Sequence, residues 1–77
     1  MKIFIQNLFG EKTSININKD EDTVKDLKLK IEENNNISIF QQTLIFDGSI
    51  MNNINDLNTY DNLDEESIIY IMMNVVG

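Results

Sequence analysis

The stretch Lys12-Thr13-Ser14-Ile15-Asn16-Ile17-Asn18, with Thr23-Val24-Lys25-Asp26-Leu27-Lys28-Leu29-Lys30-Ile31 close behind it, decides the fold, because the hydrophobic period changes inside it. Thr13, Ile15 and Ile17 alternate with Ser14, Asn16 and Asn18, the period of two expected of a half-buried strand. Val24, Leu27 and Ile31 then recur at i, i+3 and i+7, which places them on one stripe of a helix. Thr23 is positioned to cap that helix, with Asp26 three residues on as a capping-box partner. Asp20, Glu21 and Asp22 precede it, where the positive end of the helix dipole favours acids. Asn34-Asn35-Asn36 stops the helix, since Asn is a poor helix former that tolerates the left-handed conformation. Leu29 falls on the far side of the wheel and is expected to be exposed.

Upstream, Ile3 and Ile5 alternate with Lys2, Phe4 and Gln6, so Lys2 to Leu8 reads as a strand. Phe9-Gly10-Glu11 supplies a turn, and the two alternating runs form a hairpin. Downstream, Gln41 to Phe46 reads as a third strand closed by the turn Asp47-Gly48. Asn52 to Leu63 is Asn/Asp-rich and reads as loop with one short helical turn near Leu57 to Tyr60; Ser67 to Asn74 reads as the last strand. The order β-β-α-β-β predicts an α+β fold, a mixed sheet with one helix packed across it. Its expected core is Ile3, Ile5, Ile15, Ile17, Leu44, Ile69 and Ile71 from strands, and Val24, Leu27 and Ile31 from the helix.

Seventy-seven residues make one domain, and at that size almost every apolar side chain is needed for stability. The 42% hydrophobic content suffices, and with no Cys the core must hold without a disulfide. The apolar start Met1 to Ile5 is too short for a signal peptide, and no later run could span a bilayer. A cytoplasmic or nuclear location is expected. The net charge of −7 is unevenly spread: all six lysines lie between Lys2 and Lys30, there is no Arg, and from Glu32 onward there are eight acids and no base. Phosphate binding needs clustered cations, so neither nucleic acid nor an anionic membrane is an expected partner. Solubility accounts for the acid excess in the plain reading, and steering toward basic partners in the sharper one.

The absence of both Cys and His removes thiol and imidazole catalysis and structural zinc sites. Asp64-Glu65-Glu66 lacks the alternating oxygen ligands and internal Gly of a calcium loop and reads as a solvated acidic turn. Gly10 and Gly48 are isolated turn glycines, not a phosphate cradle. No enzyme, metal site or cofactor is expected.

The informative feature is the outward side of the sheet. A sheet covered by one helix should carry one apolar and one wet face. Yet Ile68, Tyr70 and Met72 alternate with the core residues of the last strand, Ile45 points outward on the third, and Leu8 borders them at the end of the first. An apolar patch on the outer face of a small soluble domain reads as a protein-binding surface, with Met72 lending an adaptable side chain.

With those residues in place the sequence resembles the ubiquitin family over almost its whole length. The matching stretches are Met1-Lys2-Ile3-Phe4-Ile5 with Leu8 and Gly10, Asp22-Thr23-Val24, and Lys28-Leu29-Lys30-Ile31. The strongest block is Gln41-Gln42-Thr43-Leu44-Ile45-Phe46-Asp47-Gly48, and Leu57, Tyr60, Glu66-Ser67 and Ile69-Tyr70-Ile71 complete the series. The resemblance implies a β-grasp domain over residues 1–74, followed by a tail or linker at residues 75–77. It maps the family's main recognition patch onto Leu8, Ile45, Tyr70 and Met72, a second onto Phe4, and a third onto Ile37 with Leu8 and Met73. It implies a structural ion pair for Lys28. The family's basic rim is missing, with Thr43, Asn74 and Val76 in its place.

Two functions follow from the resemblance. In the first, the domain docks ubiquitin-binding modules, proteasomal receptors or ubiquitin-pathway enzymes, as a monomer. In the alternative it is a modifier conjugated to targets through Gly77; a sulfur carrier thiocarboxylated there is a third and remoter reading, because the chain ends Asn74-Val75-Val76-Gly77 without a Gly pair.

Overall fold

A computed structural model of the chain describes residues 1–74. Five strands form one sheet in the order β2-β1-β5-β3-β4, built from β1 (Lys2–Gln6), β2 (Lys12–Asn16), β3 (Gln42–Phe46), β4 (Ser49–Ile50) and β5 (Ile68–Met73). β1 runs parallel to β5 and every other pairing is antiparallel, so the sheet is mixed, with the helix α1 (Val24–Asn35) across one face.

Local chemistry explains the boundaries of α1. The Thr23 side chain accepts from the Asp26 backbone N–H, and the Asp26 carboxylate accepts from the Thr23 N–H at 2.8 Å, completing the capping box. Asn36 ends the helix in the left-handed region at φ 58°, its N–H donating to Glu32 O. The buried stripe is Val24, Leu27, Lys28 and Ile31. It packs on the inward residues of the sheet, and all ten side chains expected in the core are buried.

The sequence missed three further core members, Met51, Leu57 and Leu63, all from the stretch between β4 and β5. That stretch is anchored by backbone hydrogen bonds: Val24 N–H donates to Asn55 O, Lys25 N–H to Asn53 O and Leu57 N–H to Asp22 O. It therefore closes one end of the core and supplies partners to the helix N-terminus. Inside it lies a single 3-10 turn, Leu57–Thr59, where a short helical turn was expected. Tyr60 follows, its hydroxyl accepting from Asn55 Nδ2 at 3.1 Å and its ring meeting Phe46 edge-on at 6.3 Å.

Several expected strand boundaries shorten. β1 ends at Gln6, because Asn7 turns the chain: its side-chain oxygen accepts from the N–H groups of Phe9 and Glu11. β2 ends at Asn16, although Ile17 remains buried and its N–H donates to Met1 O. Gln41 belongs to a 3-10 turn, Ile39–Gln41, that leads into β3, and β5 excludes Ser67 and Asn74. β4 was not anticipated. Asp47 and Gly48 both take positive φ, 54° and 79°, the two-residue turn that folds Ser49 and Ile50 back onto β3.

Candidate functional site

Strand register sets the geometry of the outer face. Lys12 lies opposite Gln6, Gln6 beside Tyr70, Tyr70 opposite Ile45, and Ile45 opposite Ile50. One row of outward side chains therefore crosses all five strands, polar on β2 and β1 and apolar on β5, β3 and β4. The next position along holds Met72 opposite Thr43. Tyr70 and Met72 are 48% and 44% exposed on a central strand, where the other face of the same strand, Ile69 and Ile71, is buried.

The structure thus brings together Ile45, Tyr70 and Met72, and adds Ile50, which sequence reasoning had not named. Ile50 is 65% exposed and directly paired with Ile45. The signal for it was present. An Asp-Gly turn of two residues forces Phe46 opposite Ser49 and Ile45 opposite Ile50. Burying apolar surface is favourable at roughly 25 cal/mol per Å², so a row left open here is free energy a partner can recover.

Leu8 sits differently. It is exposed in the turn after β1, beyond Gln6, the last residue of β1 paired with β5. It lines an apolar groove of about 220 Å³ together with Phe9, Ile37, Ile71 and Met73. The expected grouping of Ile37 with Leu8 and Met73 is thus formed. Phe4 is less open than expected: it is half-buried between Ser14 and Ile68, with the Lys2 ammonium 5.3 Å from its ring centre. Gly77 and Val76 lie outside the described residues.

At the missing basic rim, Thr43 Oγ1 and Asn74 Oδ1 are hydrogen-bonded at 2.6 Å. The rim is thereby neutral at both described positions. Beyond it, Lys28, Thr43, Ile50 and Asn74 line a shallow cavity of about 450 Å³.

Lys28 corrects a further expectation. Among the described residues it has no carboxylate within ion-pair distance; the ion pair belongs instead to Lys30, whose ammonium is 2.9 Å from Asp22 Oδ2. Lys28 is 7% exposed, and burial pushes its pKa below the ordinary 10.5 by penalising the charged form. For Asp22, burial raises the pKa, but the hydrogen bond from the Asn18 N–H and the hydrogen bond and charge of Lys30 together outweigh it and hold it below the ordinary 3.8. Beside Lys28, Gln42 Nε2 donates to Lys28 O and Ile37 O while Oε1 has no partner among the described residues.

No group of three or more acids among the described residues is arranged to hold a metal ion, and no helix there is long and apolar enough to cross a membrane. A mixed sheet carrying one helix, with an open apolar row on its other face, defines a β-grasp domain. A sequence model of the ubiquitin family matches residues 3–75, and the chain belongs to that family. Domains of this family are generally non-enzymatic.

Proposed function

We propose that this domain is a protein-interaction module that docks ubiquitin-binding modules, proteasomal receptors or ubiquitin-pathway enzymes through the face centred on Ile45, Tyr70 and Met72. The observation that carries the reading is the continuous outward row Tyr70-Ile45-Ile50, flanked by Met72, on a sheet whose other face is fully used by the core. Apolar anchors at the centre of an interface carry most of its binding energy, and truncating one costs on the order of 1–2 kcal/mol, a roughly 5- to 30-fold loss of affinity.

The test is a pull-down from extract with the full chain, followed by affinity measurement with Ile45→Ala and Met72→Ala. Both variants should lose binding to the same partners. Unchanged affinity for every isolated partner would sink the reading. A parallel incubation of extract with ATP addresses the conjugation alternative, in which a covalent adduct disappears on deletion of Gly77.

A further inference from the structure

We propose that the cavity beside Lys28 receives a carboxylate, the side chain of an Asp or Glu on a partner protein, which pairs with the Lys28 ammonium while its apolar neighbours cover Ile50 and Ile54. The proposal stands apart from docking through Ile45, Tyr70 and Met72, although Ile50 borders both places.

The cavity is built from fixed parts. Its volume is about 450 Å³, and Lys28, Gln42, Ile50, Asn52, Asn53 and Ile54 are among the residues lining it. Met51 N–H donates to Leu44 O at 2.8 Å and Lys25 N–H to Asn53 O at 3.2 Å, so the loop wall is tied to both β3 and α1. Gln42 Nε2 donates to Lys28 O and Ile37 O at 3.0 Å each, which joins the helix to the sheet. Two polar groups of this wall are nonetheless incomplete among the described residues. Gln42 is 2% exposed with no partner for Oε1, and Lys28 is buried with no carboxylate in ion-pair distance. Native interiors rarely leave such groups unmatched. An ammonium has three donors, enough for an arriving carboxylate and a neighbouring amide oxygen together.

The acids of α1 and its approach are engaged elsewhere. Asp22 pairs with Lys30, the Asp26 carboxylate accepts from Thr23 N–H, and that of Glu32 accepts from Ile39 N–H at 3.1 Å. Glu33 stands five positions after Lys28, about 140° round the helix. None of the described residues lining the cavity is acidic. A cation thus meets a neutral wall in a chain of net charge −7. Burial, which lowers the Lys28 pKa, is the cost that a carboxylate from outside offsets, because Coulomb attraction strengthens where water is partly excluded. One lysine is too little to hold a nucleic-acid backbone, which needs clustered cations. The cavity is also shallow, whereas sites for free small molecules enclose most of the ligand. A side chain carried on a protein surface suits it, since exposed Ile50 and Ile54 add apolar contact beside the charge.

The experiment uses two short end-capped peptides, one with Glu between two Leu and its twin with Gln at that position. Each is titrated at low salt into the isotope-labelled full chain, reading the amide shifts of Lys28, Thr43 and Asn53. The Glu peptide should bind roughly 5-fold tighter despite the acidity of the protein, and the preference should shrink with added salt. Lys28→Met should reduce the preference below about 2-fold while the Gln peptide binds as before. Asn53→Asp, which puts a carboxylate on the wall itself, should do the same by a different route. Lys25→Gln, at an exposed position on the same helix, should leave the preference intact. Equal binding of the two peptides, no shift from either, a preference that survives Lys28→Met, or one lost with Lys25→Gln overturns the proposal. Sodium acetate that shifts the same amides at the peptide's concentration would make a free small carboxylate the ligand and also overturn it. Partner affinity of Ile45→Ala is a separate readout, so the docking reading stands or falls independently of these outcomes.

Discussion

Lys28→Met should stabilise the domain. Lys28 occupies the i+4 position of the helical stripe that carries Val24, Leu27 and Ile31 into the core, yet it bears a charge with no carboxylate in ion-pair distance among the described residues. A buried ion carries an effective penalty of several kcal/mol, and the polar cavity lined by Lys28, Asn52 and Asn53 relieves much of it. Replacing buried charges by packed apolar side chains of similar volume is often neutral or stabilising by about 1–4 kcal/mol, and about 1 kcal/mol is expected for this partly relieved site. Met keeps the unbranched stem, matches Lys in helix propensity and fills irregular space, so packing should survive. For a domain of this size the gain corresponds to a rise in Tm of about 4–8 °C.

The pH dependence supplies an independent check. The folded Lys28 has a pKa below 10.5, so in the window just under that value the unfolded chain holds more protons than the folded one. Stability of the parent protein must then rise with pH through that window, relative to the variant, which lacks this one titrating group and shares all the others. Urea denaturation of both proteins at pH 7 and at stepwise higher pH measures the gap. A variant less stable than the parent at pH 7, or a gap that does not narrow toward pH 10.5, would refute the assignment of Lys28 as a buried cost.

Thr23→Ala removes the helix cap and half of its capping box, and should cost about 1 kcal/mol by thermal melt monitored at the helix signal. Asp22→Asn should lower stability at pH 7 by about 1 kcal/mol, because the carboxylate accepts from Asn18 N–H and pairs with Lys30, a pair partly open to solvent. Its folded pKa lies below 3.8, so that stability is present above 3.8 and is lost as pH falls through the lower folded value; parent and variant should converge in acid. Leu63→Ala should cost about 2–4 kcal/mol in urea, as large as a helix-stripe truncation, because Leu63 is fully buried although it comes from irregular chain.

The helix was legible from Thr23 to Asn36, because capping, periodicity and termination are all local and agree with one another. The outward placement of Ile45, Tyr70 and Met72 was legible for the same reason: period two fixes which face a strand residue takes once its neighbours are core. Met51, Leu57 and Leu63 were not, since burial in an aperiodic loop is decided by tertiary docking on the helix N-terminus and leaves no repeat to read. Lys28 escaped because a charged residue on the core stripe reads as a solvated position, and its ion pair was assigned by likeness, whereas the ion pair among the described residues joins Lys30 to Asp22. Leu8 was read as part of two patches; it lines the groove with Ile37 and Met73, and its place beside Tyr70 and Met72 was not legible, because the chain leaves the sheet at Asn7 and strand alternation no longer governs it.

Fold and function can be separated on the outer face, because the two make opposite demands on Ile50. Were the apolar row merely core that the helix fails to cover, its members would be buried against one another and polar replacements would destabilise. Ile50 is 65% exposed on a strand of two residues at the sheet edge, so the fold gains little from it. Ile50→Thr keeps the β-branched shape that suits a strand and should change stability by no more than about 0.5 kcal/mol. The same change removes apolar contact beside Ile45 in the proposed interface and should weaken partner binding several-fold. Denaturation and affinity measured on one preparation distinguish the cases: lost stability with intact binding would assign the row to the fold, and intact stability with lost binding assigns it to recognition.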